Sequence, residues 1–251
     1  MKILKTVKEI KSELRNLSQK HIGFVPTMGS LHKGHISLIE KSMTENNITI
    51  VSIFVNPTQF DNADDLAKYP NQLKLDIQIL GNLKIDYLFL PTYKELYVDN
   101  FKYKIIEDEL SKILCGAYRE GHFTGVLTVV MKLLNIVKPT KAYFGEKDYQ
   151  QYLLVKGMAE AFFLDVEIIS CPIIREEDGL AFSSRNVRLS KEERQKAKLF
   201  PELLKSGLNN EEVIFKLKNS GFKVDYIETK FGRRFGAVYL GEVRLIDNVE
   251  K

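Results

Sequence analysis

Long apolar runs are missing from this 251-residue sequence. No stretch approaches 18 consecutive apolar residues, so no membrane span and no membrane partner are expected. Cysteine is scarce: Cys115 and Cys171 lie far apart and form no CxxC pair. A disulfide framework is thereby excluded, and both read as small buried hydrophobes in a reduced compartment. Excess charge of one sign is missing as well. The 37 basic residues stand against 33 acidic ones with no basic block, so nucleic acid is not an expected partner. The N-terminal MKILKTVKEIKSELRNL carries charges throughout and lacks the apolar region of a signal peptide, which makes the cytoplasm the expected address. No internal repeat, no GxxxxGKS/T phosphate loop and no GxSxG nucleophile elbow occur.

What remains is a globular composition, 44% hydrophobic and 28% charged, sufficient for one large or two ordinary domains. Ile3, Val7, Ile10, Leu14 and Leu17 recur at helical spacing and predict a first helix. Strands are then expected at 21–26, 48–55, 85–91, 141–147 and 165–174, with helical patterns between them. ITIVSIFV is apolar throughout, as in a strand buried on both faces of a parallel sheet. Strand–helix alternation from about 21 to 174 predicts an α/β fold, a doubly wound parallel sheet whose ligands bind at the carboxyl ends of the strands. After SSRN the pattern changes to a charged helix with a capping-box spacing at Ser190 and Glu193, a second short helix, and three short strands. The expected division is 1–185 for the sheet domain and 186–251 for a small α+β C-terminal domain.

Four strand-end segments carry the chemistry. VPTMGSLHKGH joins a strand to a helix start through two glycines and two histidines. Backbone N–H groups and a helix N-terminus suit an anion there, and His32 and His35 add donors. A two-histidine metal site lacks further ligands, and a capping plus a packed histidine is the structural alternative. In SIFVNPTQFDN, Asn56 and Gln59 can read a hydroxyl and a carboxylate, although the fragment taken alone favours a ligand-free Asx/Pro turn. YFGEKDYQQ offers Lys147 as a phosphate charge, Asp148 as a cap, and Gln151 on the same helix face as Asp148. IIREEDGLAFSSRN supplies two hydroxyls and a guanidinium, Ser183, Ser184 and Arg185, which suit phosphate.

VPTMGSLHKGH, SIFVNPTQFD, EGHFTGV, YFGEKDYQQ and DGLAFSSRN, in order over residues 21–189, closely resemble the motifs of the pantoate–β-alanine ligase (pantothenate synthetase) family, and VRLIDN is similar to its end. LHKGH resembles the HIGH-type signature of the nucleotidyltransferase superfamily. The resemblance implies a Rossmann-like domain with a smaller C-terminal lid. It implies a two-step reaction: ATP adenylates (R)-pantoate, and β-alanine displaces AMP to give pantothenate for coenzyme A biosynthesis. By position, Met28, Gly29, Ser30, Leu31, His32, Lys33, Gly34 and His35 would bind ATP, with His35 as proton donor. Gly145, Glu146, Lys147 and Asp148, the backbone of Ile174, and Phe182, Ser183, Ser184 and Arg185 would complete that site. His32, His35, Lys147, Ser183, Ser184 and Arg185 would be the catalytic set. Pantoate would meet Gln59, Gln151, Pro26, Met28, Val129 and Val130; β-alanine would meet Gln59 and Asn56. Tyr69 and Arg119 are further candidates near the substrates. The resemblance also implies Mg²⁺ carried by ATP rather than held by a protein cage, and a homodimer. Two departures stand out: Phe182 where the family usually has Leu or Met, and a C-terminal domain shortened around ETKFGRRFGAVYL.

Overall fold

A computed structural model of the chain describes residues 1–15, 17 and 20–251. Its larger part is a six-stranded parallel sheet of β1 (Lys2–Leu4), β2 (Ile22–Thr27), β3 (Ile48–Ile53), β4 (Tyr87–Phe89), β5 (Lys141–Gly145) and β6 (Glu167–Cys171), in the order β1-β4-β3-β2-β5-β6. Around it lie α1 (Val7–Arg15), α2 (Lys33–Glu45), α3 (Ala63–Ala67), α4 (Leu73–Leu83), α5 (Tyr93–Leu96), α6 (Cys115–Tyr118), α7 (His122–Val137) and α8 (Tyr149–Ala161). Every residue of β3 is buried, in keeping with its uninterrupted apolar run. One layer of core gathers Phe24, Ile50, Phe89, Val126 and Leu133; the other gathers Val25, Ile39, Val51, Leu80 and Leu88. The alternating inward and outward residues of β2 and β3 thus fill both faces of the sheet.

The chain leaves β2 toward β3 on one side and later returns to β5 on the other. The carboxyl ends of β2 and β5 therefore flank the switch point, where open α/β sheets bind ligands. The turns after Thr27 and Gly145 both open there.

The C-terminal part contains α9 (Lys191–Ala197), α10 (Leu199–Lys205), α11 (Asn210–Asn219) and an antiparallel sheet of β7 (Lys223–Lys230), β8 (Arg233–Leu240) and β9 (Val243–Glu250). Its own core packs Phe200, Leu204, Val213, Leu217, Val238 and Leu245.

Two expectations need correction. Ile3 does not begin the first helix: it sits in β1, paired with Leu88 of β4, and the helix starts at Val7. Three residues are too short a strand to show a pattern against the helical spacing that follows. Asn16, inside that expected helix, lies outside the described residues. The charged helix after SSRN is two helices, split at Lys198 shortly before Pro201, whose ring and missing N–H disfavour an unbroken helix. Its capping box at Ser190 and Glu193 is present. Among the described residues no helix is long and apolar enough to cross a membrane.

Candidate active site

The turn after β2 is built from below. Gly29 has φ +81° and Ser30 φ +53°, so the chain reverses in the left-handed region. Asp76 of α4, 1% exposed, accepts the N–H groups of Ser30 and Leu31, each at 2.8 Å. The turn's backbone donors therefore point away from the cavity, onto a buried carboxylate. Gly29, Ser30 and Leu31, expected in the ATP-binding run, lie outside the lining of the main cavity; they shape the turn that delivers the histidines. Pro26, Met28, His32, Gly34 and His35 do line it. Lys33 does not, and instead lies 5.9 Å over the Phe182 ring.

His32 caps α2 and His35 occupies its first turn, with ring centroids 4.0 Å apart. The backbone N–H of His32 donates to Nδ1 of His35 at 3.4 Å. That bond assigns the remaining proton of neutral His35 to Nε2, which makes Nε2 a donor. Burial, with the charges of His32 and Lys147 behind it, pushes His35 well below its ordinary pKa. Burial and then Lys147 bring His32 down to about 4. The pair is thus neutral in the free protein and offers N–H donors rather than the protonated imidazole a phosphate site suggests. Nδ1 of His32 is buried with no hydrogen-bond partner among the described residues. Nor does a third metal ligand join the pair: among those residues no group of three or more His, Cys, Asp or Glu could hold a metal ion.

Opposite, β5 ends at Gly145 and a short turn, Glu146–Asp148, leads into α8. Gly145, Lys147, Asp148 and Gln151 line the cavity, with Lys147 Nζ 3.6 Å from the Asp148 carboxylate. Glu146 does not line it and pairs instead with Arg233 of β8 at 2.8 Å. Asn248 of β9 donates to the carbonyls of Glu146 at 2.8 Å and Lys147 at 3.2 Å. Its neighbour Asp247 forms a two-pronged pair with Arg175, at 2.6 and 3.0 Å. The closing VRLIDN segment therefore holds the lysine turn.

The amides form a third corner. Asn56, 1% exposed, donates to Gln59 Oε1 at 3.0 Å and to the Gly125 carbonyl at 3.2 Å. Its own oxygen accepts from Thr58 Oγ1 at 3.0 Å and Tyr97 OH at 2.9 Å. Every bond Asn56 can readily make is engaged, so it lines the cavity as the holder of Gln59. Because Gln59 Oε1 is occupied, its NH₂ is the end left for a ligand, a donor suited to a carboxylate or hydroxyl oxygen. His122, which sequence reasoning did not single out, donates from Nδ1 to the Gln59 carbonyl at 2.7 Å and accepts Arg119 Nη1 at 3.0 Å. Burial, then the Arg119 charge, lowers its pKa to about 3. Val129 and Val130, each 5% exposed, pave the apolar wall with Phe54 and Phe144.

Ile174, Phe182, Ser183, Ser184 and Arg185 close the other side. The Phe182 N–H donates to the Ile174 carbonyl at 3.1 Å, and Ser184 Oγ bonds Tyr69 OH at 3.3 Å. The cavity they enclose is about 400 Å³, within the usual range for small-molecule sites.

A parallel sheet carrying a histidine pair, a lysine turn and a Ser–Ser–Arg turn around one switch-point cavity defines a nucleotidyltransferase-type α/β enzyme with a HIGH-like signature. The comparisons are narrower. The family model for pantoate-beta-alanine ligase matches residues 2–250, and the chain belongs to that family. It is 52% identical to the pantothenate synthetase of Bdellovibrio bacteriovorus over 91% of each chain. With that of Coxiella burnetii it shares 50% identity over 99% of this chain and 96% of the relative. Among solved structures, the pantoate-beta-alanine ligase of Francisella tularensis, complexed with beta-gamma ATP and beta-alanine, superposes with a TM-score of 0.96 at 48% identity, over 100% of this chain and 97% of that one. Pantothenate synthetase from Thermus thermophilus gives 0.91 at 38% identity, over 100% and 99%. The short C-terminal sheet is thus matched by relatives of nearly the same length.

Proposed function

We propose that the chain condenses (R)-pantoate with β-alanine, consuming ATP and releasing AMP and pyrophosphate, through a pantoyl adenylate. The observation that carries this reading is the facing of Gln59's free amide donor and the His32–His35–Lys147–Arg185 donors across one cavity. Family membership and the ATP and β-alanine of the Francisella tularensis complex support it.

Pantoate's carboxylate oxygen attacks the α-phosphorus in line, and the bond to pyrophosphate breaks. Gln59 and Gln151 orient the acid, with its apolar carbons against Val129 and Val130. His35 Nε2–H and His32 donate to phosphate oxygens as charge shifts onto them, while Lys147, Ser183, Ser184 and Arg185 hold the departing pyrophosphate. β-Alanine's amine then attacks the acyl carbon, loses a proton, and AMP leaves with the carbon–oxygen bond electrons. No protein nucleophile is needed. Mg²⁺ is assigned to the triphosphate. Asp148 beside Lys147, one of several carboxylates lining the cavity, would hold such an ion, which would offset the charge of the phosphates.

We assign residues 1–185 to the ATP- and pantoate-binding body and 186–251 to the lid. We further propose a cytoplasmic homodimer. The free thiols of Cys115 and Cys171 suit a reducing compartment, and Val98, Tyr103 and Ile106, 82%, 80% and 65% exposed, are apolar side chains that a second copy would cover.

Pyrophosphate release measured with ATP and pantoate tests the reaction. Release is expected with both present and without β-alanine, with free AMP appearing only once β-alanine is added. AMP transfer to a phosphate ester instead would overturn it.

A further inference from the structure

Arg185 reaches the cavity already held. Its Nη2 donates to Asp65 Oδ2 at 2.7 Å and its Nε to Oδ1 at 3.4 Å, so guanidinium and carboxylate meet side-on. The same carboxylate takes Arg188 Nη1 at 2.8 Å. Tyr69, four residues further on, bonds Ser184, and its ring lies 5.7 Å from the Arg185 guanidinium carbon. One short segment, α3 with its flanks, thus contacts the Ser–Ser–Arg turn through two side chains, Asp65 and Tyr69.

An exposed ion pair would add little. Here the Asp65 side chain is 25% exposed, Arg185 22% and Arg188 18%, and one carboxylate neutralises two cations. Without its charge the two guanidiniums repel and are free to swing apart. The side-on geometry also selects an edge. Nε and Nη2 face Asp65, while Nη1 has no hydrogen-bond partner among the described residues and remains available to an anion.

We propose that Asp65 is a positioning residue for the phosphate-binding arginine: it holds Arg185 with Nη1 toward the triphosphate and, together with Tyr69, fastens segment 61–69 beside the nucleotide. This rests on the reading of the cavity as an ATP site. Asp65 touches no reacting atom in this scheme and acts through Arg185 alone.

Asp65→Asn keeps the shape and removes the charge. Titrating the intact chain with β,γ-methylene-ATP is expected to show binding weakened about tenfold, with the KM for ATP in pyrophosphate release raised equally. Attack of β-alanine on preformed pantoyl adenylate should change by less than about twofold, because the phosphates Arg185 holds have already left. In an Arg185→Ala background the same substitution should remove no further affinity, since the group it positions is gone. Equal losses with and without Arg185, equal losses in both half-reactions, or no loss would each overturn the proposal. If the unaltered chain released no pantoate-dependent pyrophosphate, the proposed reaction would fail while the analogue titration still decided Asp65.

Discussion

Asp76 shows how one side chain sets a site it never enters. Its two oxygens occupy the N–H groups of Ser30 and Leu31, which fixes where α2 begins and hence where His32 and His35 stand. Asp76→Asn turns one acceptor into a donor facing an N–H group. We expect a loss of about 2 kcal/mol, the worth of a buried hydrogen bond to a charged group. Thermal unfolding reads that loss directly, and adenylation should fall with it; an unshifted Tm would show that the turn holds itself. No local signal marked this residue, because its partners lie 45 and 46 positions away. The same holds for His122, which meets Gln59 at a separation of 63, and for Asp65, which meets Arg185 at 120. His32, His35, Lys147 and Arg185, by contrast, were legible because their chemistry sits in strand-end turns with recognisable neighbours.

At the scale of elements, α7 packs closely on the Pro57–Gln59 turn. A Cβ on Gly125 would stand 2.2 Å from the Thr58 carbonyl oxygen, a backbone atom that cannot give way alone. Gly125→Ala must push α7 and the turn apart, carrying Asn56 and Gln59 with them. Overpacking of this kind costs about 1–3 kcal/mol. We expect the KM values for pantoate and β-alanine to rise several-fold while that for ATP moves little; an equal rise in all three would place the strain elsewhere. The strands and long helices were readable from apolar runs and 3.6-residue periodicity. β1 was not: it is held by pairing with β4, more than 80 residues away, rather than by any pattern of its own.

For the whole molecule, buried His122 and partly buried His32 and His35 make stability depend on pH. Burial sets His32 at about 4 and His122 at about 3 and drives His35 well below 6.5. In the unfolded chain each takes up a proton near the ordinary value of about 6.5. Between about pH 6.5 and 4 the unfolded state therefore binds protons that the folded state refuses, and stability is lost as pH falls through that window. Each unit of lowered pKa is worth about 1.4 kcal/mol. Scanning unfolding from pH 8 to 4 should give a flat Tm down to about 6.5 and a steady decline below it. A Tm independent of pH across that window would mean that the three rings are hydrated.

The clasp of Glu146, Arg175 and the Lys147 turn by Arg233, Asp247 and Asn248 has a consequence for inheritance. Recombination that joined the first 185 residues of one lineage to the last 66 of another would cut through these bonds and through the packing of Leu114 against Tyr226 and Phe235. Such a chimera would misplace the lysine. To keep the lysine in place, β8, β9 and the GEKD turn would have to be inherited as one unit, although nearly 100 residues separate them along the gene.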